Sequence, residues 1–193
     1  MEFIFKTKNK LIFNVNPNYW ILWVQVLFFL IFATACGGKP KPNFIFPETL
    51  PNLYLIKLIK GKKAIEEINK LHGKQIHIEN GFIAYYRGSY EQGNWRESTI
   101  WLSEADNEQM ALKQTKIMMD RIKDNPKTPF HHFKERTSEE IKVYTFWGMG
   151  GAHAVFQKGE QVYWISATED IFEPVLRAML KTARKFSRKQ DGN

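Results

Sequence analysis

The apolar run Trp20-Ile-Leu-Trp-Val-Gln-Val-Leu-Phe-Phe-Leu-Ile-Phe32 decides which residues are free to form a domain. A helical membrane span needs about 20 apolar residues. This run is shorter and ends abruptly in Ala33, Thr34 and Ala35. Lys6, Lys8 and Lys10 precede it. A basic leader, an apolar stretch and a small-residue cleavage site make a secretory signal. Residues 1–35 are therefore expected to be a signal peptide. An uncleaved anchor is the alternative, and both place the rest of the chain outside the cytoplasm.

Ala33-Thr34-Ala35-Cys36 resembles the lipobox of bacterial lipoproteins, although Ala33 stands where leucine is usual. The resemblance implies cleavage before Cys36 and attachment of acyl chains to it. One acyl chain holds a protein to a bilayer marginally, whereas two or more hold it stably. The implied location is a membrane surface reached through acylated Cys36, with the outer membrane, facing the periplasm, expected in a cell with two membranes. Cys36 is the chain's only cysteine. Once acylated it leaves the domain no disulfide, thiol nucleophile or thiolate metal ligand.

Residues 36–193 carry 25 basic against 19 acidic side chains, a net +6. In a cytoplasmic protein this would raise nucleic acid as a partner. After export, anionic headgroups or envelope polyanions fit better, and no nucleic acid is expected. Much of the excess lies in Arg177, Lys181, Arg184 and Lys185, candidates for membrane-surface or polyanion contact. A solvated helix face explains the same residues.

Prolines at 40, 42, 47 and 51 predict an extended tether over 36–52. A single domain is expected over 53–186, followed by a basic tail over 187–193. Leu53–Ile59 suits a strand, and Lys62–His72 carries Ala64, Ile65, Ile68 and Leu71 at helical spacing before a capping Gly73. Asn80-Gly81 between Gln75–Glu79 and Phe82–Tyr86 predicts a hairpin turn. A polar loop over Gly88–Gly93 leads to a strand at Glu97–Ser103. Glu104–Lys123 reads as a helix with Met110, Ala111, Ile117, Met118 and Ile122 inward, stopped by Asn125-Pro126. Strands are expected at Phe130–Arg136, Ile141–Trp147, Ala152–Gln157 and Gln161–Ala167. The last helix carries Phe172, Val175, Leu176, Met179, Leu180 and Ala183 in one stripe.

This order predicts an α+β fold, a largely antiparallel sheet with about three helices packed on one face. A helix followed by strands occurs at 62–103 and again at 105–167, which suggests a duplicated helix-plus-meander unit. Leu71-His-Gly73, Gly81-Phe-Ile-Ala-Tyr85 and Gly148–Trp164 are similar to small bacterial lipoproteins of unknown function, a resemblance that implies no activity.

Catalytic patterns are absent: no serine sits in a Gly-x-Ser-x-Gly elbow. His77 and Glu79 share a strand face, an arrangement compatible with a metal but also with an ordinary strand edge. His131 and His132, as strand neighbours, are expected to point apart. No metal and no cofactor are expected. Gly148, Gly150 and Gly151 with His153 form the most suggestive loop for a ligand or partner, although a hairpin connection accounts for the same glycines. Trp101, Trp147 and Trp164 offer an aromatic surface for a partner or hydrophobic ligand, or else core packing.

The leading expectation is a non-enzymatic, lipid-anchored envelope protein whose domain binds an envelope protein partner in an assembly, scaffold or accessory role. A carrier or sensor for a small hydrophobic or anionic ligand is the alternative, and an enzyme of unknown reaction comes third.

Overall fold

The computed structural model describes residues 45–72, 76–89 and 95–190, the side chains of His72, Ser89 and 186–190 excepted. The signal stretch, Cys36, the tether up to Phe44, Gly73 and the end of the tail lie outside the described residues. No helix among the described residues is long and apolar enough to cross a membrane.

In chain order the elements are β1 (Thr49–Leu50), β2 (Leu53–Lys60), α1 (Lys62–His72), β3 (Asn80–Ser89), β4 (Trp95–Glu104) and α2 (Glu108–Asp124). There follow β5 (Phe130–Ser138), β6 (Ile141–Gly148), β7 (Gly151–Lys158), β8 (Gln161–Ala167) and α3 (Glu169–Gln190). The strands form one open sheet in the order β1-β2-β3-β4-β8-β7-β6-β5, antiparallel throughout. The α+β class and the antiparallel sheet are as expected.

The three helices, expected on one face, divide between two. Strand neighbours project to opposite faces, and here both sets are apolar. Ala84, Tyr86, Ile100, Leu102, Phe156, Tyr163 and Ile165 face α3, whose Phe172, Val175, Leu176, Met179, Leu180 and Ala183 form the expected stripe. On the opposite face, Ile83 packs with Ala64 and Ile68 of α1. Val162 packs with Ala111 of α2, and Phe146 and Val155 with Met119. A sheet apolar on both sides needs cover on both.

Asn80-Gly81 is not a turn. Both residues begin β3, opposite Glu104 and Ser103 of β4, and Ile76–Glu79 is not a strand. The Asn80 amide donates to Glu104 Oε2 at 3.0 Å. Gly81 is required by packing: a Cβ there would stand 3.0 Å from the Ile65 side chain and from its backbone nitrogen. Gly88 likewise belongs to β3, where a Cβ would come within 1.9 Å of the Asn52 carbonyl oxygen.

Helix α2 starts later than expected because Asn107 caps it, its Oδ1 accepting from Met110 N at 2.9 Å. Glu104 stays in β4. Ile117, expected inward, is exposed, while Thr115 and Met119 are buried. Thr115 tolerates burial because its hydroxyl donates to the Ala111 carbonyl at 2.9 Å.

Candidate functional site: an uncovered strip of the sheet

Among the described residues, the helices do not cover the face carrying α1 and α2 along its whole length. Helix α1 ends its cover near Ile83, Tyr85 and Trp101. Beyond it, Tyr54 stands opposite Arg87, and Arg87 opposite Glu97, in one row across β2, β3 and β4. Lys57, Tyr85 and Thr99 form the next row toward α1. Trp95, at the start of β4, shares this face.

Tyr54 is 68% exposed and Trp95 60%. Large aromatic rings left in water are unfavourable unless something else covers them. The Arg87 guanidinium lies 5.4 Å from the centre of the Trp95 ring, and in the neighbouring row Lys57 Nζ lies 5.5 Å from that of half-buried Tyr85. Arg87 is held by Glu97, with contacts of 2.8 Å from Nε and 2.6 Å from Nη2. Each exposed cation–π contact contributes about 0.5–1 kcal/mol. That is enough to orient the Trp95 ring without hiding it. Exposed Tyr, Trp and Arg are the residue types that carry binding energy at protein interfaces.

The sequence candidates fall in several places. Trp101 and Trp164 are opposite each other in β4 and β8, their rings edge to face at 6.4 Å. Both are half-buried between the two helices. Trp147 lies on the other face, 6.1 Å from the Phe172 ring of α3, so the sheet separates it from the other two tryptophans.

Gly148, Gly150 and Gly151 build the tight β6–β7 turn around Met149, which is 78% exposed. Two of these glycines answer to the backbone. A Cβ on Gly148 would stand 2.4 Å from the Pro129 carbonyl oxygen, and one on Gly151 2.9 Å from that of Ala167.

His153 is buried, and both of its ring nitrogens are engaged. Nε2 donates to the Gly148 carbonyl at 2.9 Å, and Nδ1 accepts the Trp164 indole N–H at 3.3 Å. Phe146 stacks on the ring at 5.4 Å, and Phe130 meets it edge-on at 5.0 Å. Burial pushes its pKa below the usual histidine value, with the Gly148 hydrogen bond opposing. Ser166 stands opposite His153 in β8. Neither ring nitrogen is free to take its proton, so the pair is not a serine–histidine dyad of the catalytic kind.

Among the basic residues of α3, Arg177, Lys181 and Lys185 are exposed. Arg184 turns back to pair with Glu139 and, at 3.8 Å, with Glu140 in the β5–β6 turn.

His131 and His132, expected to point apart, lie together with ring centres 4.5 Å apart. The cause is a bulge: pairing of β5 with β6 slips between His131 and Lys134, and His132 has φ +55°. A bulge breaks the alternation on which that expectation rested.

Two features escaped the sequence. One is the Tyr54–Arg87–Trp95 strip, because the pairing of β2 with β3 that assembles it is not written locally. The other is a cleft of about 760 Å³ between α2 and strands β5–β7. Leu112, Met119, Phe133 and Tyr144 supply its apolar lining; its rim carries six lysines and four carboxylates, with Lys116 paired to Asp120 and Lys142 to Glu135 at 2.6 Å each.

Comparison of the chain with protein-family models, with curated proteins and with solved structures yields no match.

Proposed function

We propose that this chain is a lipid-anchored envelope protein whose sheet binds a second envelope protein. The observation that carries the reading is the strip formed by Tyr54, Arg87 and Trp95, two exposed aromatic rings on the sheet, one stacked against the Arg87 guanidinium and the other opposite it in the strand register. Rigid aromatics lose little entropy when a partner covers them. The lipobox resemblance at Ala33–Cys36 supports the location. Pro47 and Pro51, expected in the tether, belong to the domain, since Phe46 and Leu50 are in the core and the Tyr86 hydroxyl donates to the Pro47 carbonyl at 2.8 Å. A shorter tether with prolines at 40 and 42 still suits a domain that meets its partner near the membrane.

A photo-reactive residue placed at 54 or 95 in cells should capture a discrete protein adduct. The same residue at position 112, in the lysine-rimmed cleft, should not. Absence of any adduct at 54 and 95 would remove the strip from consideration.

The cleft beside α2 favours a second reading, a carrier or sensor for a small anionic ligand with an apolar body. An apolar floor with six lysines against four carboxylates at its rim suits an amphipathic ligand with a carboxylate or phosphate head. A bound small molecule released on denaturing the purified full-length protein would bring this reading forward.

A further inference from the structure

We propose that His77, Glu79 and Asp106 form a zinc-binding site between the segment that leads into β3 and the segment that leads into α2. One ligand atom from each side chain lies within 4.8 Å of the others. His77 Nε2 stands 3.0 Å from Asp106 Oδ1 and 3.4 Å from Glu79 Oε1. Tetrahedral zinc with bonds of about 2.1 Å holds its ligand atoms roughly 3.4 Å apart. Two edges of such a tetrahedron are therefore nearly in place, and the third closes by rotation of an exposed carboxylate.

Each ligand is carried on anchored backbone. Ile78 is buried between His77 and Glu79, so both neighbours project outward on one side. Gln114 of α2 donates its amide to the His77 carbonyl at 2.9 Å, and Glu79 N donates to the Glu104 carbonyl at 2.8 Å. Asp106 sits between buried Ala105, whose N–H donates to the Glu160 carbonyl at 2.9 Å, and the capping Asn107. Imidazole with two carboxylates is a donor set for zinc or a neighbouring transition ion; calcium and magnesium sites are built from oxygen ligands. Three protein ligands leave a fourth position open to water or to a donor brought by a partner. Nothing local in the sequence connects Asp106 to His77.

The test uses tag-free full-length protein in detergent micelles, stripped with a chelator and titrated with Zn²⁺ by calorimetry. Co²⁺ titration followed by visible absorption supplies the coordination signature. The site binds one equivalent, and His77→Ala and Asp106→Asn each weaken binding at least tenfold. His131→Ala, which disrupts the exposed His131–His132 pair, leaves affinity unchanged. Asp106→Asn preserves side-chain shape, so its result stands whatever His77→Ala does to folding. The proposal is overturned if the native protein binds no Zn²⁺, if binding survives Asp106→Asn, or if it is His131→Ala that abolishes it. Absence of binding leaves His77 as a surface histidine beside two carboxylates.

Discussion

Trp164 donates its indole N–H to Nδ1 of His153 across 3.3 Å, which fixes the imidazole as neutral with its proton on Nε2. The rings around it, Phe130, Phe146 and Trp164, carry no charge to compensate a second proton. The pKa in the folded state lies below the ordinary value of about 6.5. The unfolded chain therefore binds more protons in the window between the two values.

It follows that stability from neutral His153 is complete above about pH 6.5 and is lost as pH falls from there through the lower folded-state value. The slope reaches at most about 1.4 kcal/mol per pH unit. Urea unfolding at a series of pH values should show the loss. His153→Gln should be less stable near neutrality and should narrow its gap to the native protein as pH falls; a constant gap would contradict the assignment.

Gly148 and Gly150 should differ sharply when changed to alanine. At Gly148 the new methyl meets the Pro129 carbonyl oxygen at 2.4 Å and Phe130 Cδ1 at 2.8 Å. Overpacking of this kind costs about 1–3 kcal/mol or more. Gly150 has open space, and its φ of +81° adds only a backbone penalty of about 1–2 kcal/mol. Gly148→Ala should therefore unfold at lower urea than Gly150→Ala. The reverse order would mean that the turn, not the packing against Pro129, sets the demand for glycine.

Leu176 lies wholly inside the cluster between α3 and the sheet, and Arg177 next to it is exposed. Leu176→Ala should destabilise by about 2–5 kcal/mol. Arg177→Ala should stay within about 0.5 kcal/mol of the native protein. Chemical denaturation of the two variants checks which side of α3 meets the sheet.

The basic face of α3 is smaller than its sequence implies, since Arg184 is taken up by Glu139. Arg177→Glu combined with Lys181→Glu should weaken adhesion of the unlipidated domain to anionic vesicles several-fold at low salt, and salt should erase the difference. Vesicle co-sedimentation reads the result. Equal binding by the native and reversed proteins would leave this face merely solvated.

Cys36→Ser should abolish incorporation of radiolabelled fatty acid and release the domain from membranes. Retention of the Ser variant in the membrane fraction would favour an uncleaved N-terminal anchor.

Much of the architecture was legible because the periodic segments are long. The α3 stripe, the bounds of α1 and the strand Gln161–Ala167 follow from spacing alone, since burial on one side imposes period 3.6 or 2. Asn80-Gly81 misled because the same dipeptide serves a turn or a close approach. Here Gly81 accommodates α1 and Asn80 binds Glu104, partners remote in sequence. The histidine pair misled because a bulge at His132 overrides alternation.

The sequence by itself determined the α+β class, the largely antiparallel sheet, the strands from Phe130 to Ala167 and the one-sided stripe of α3. These depend on local hydrophobic period and turn chemistry, which are properties of short segments. Only the tertiary structure decided which face each helix covers, and that Trp147 is parted from Trp101 and Trp164. It alone decided that Tyr54, Arg87 and Trp95 meet in an uncovered strip, and that Asp106 joins His77 and Glu79. Those outcomes depend on register and on which strands lie side by side, and pairing between distant strands is fixed by the packing of the whole core.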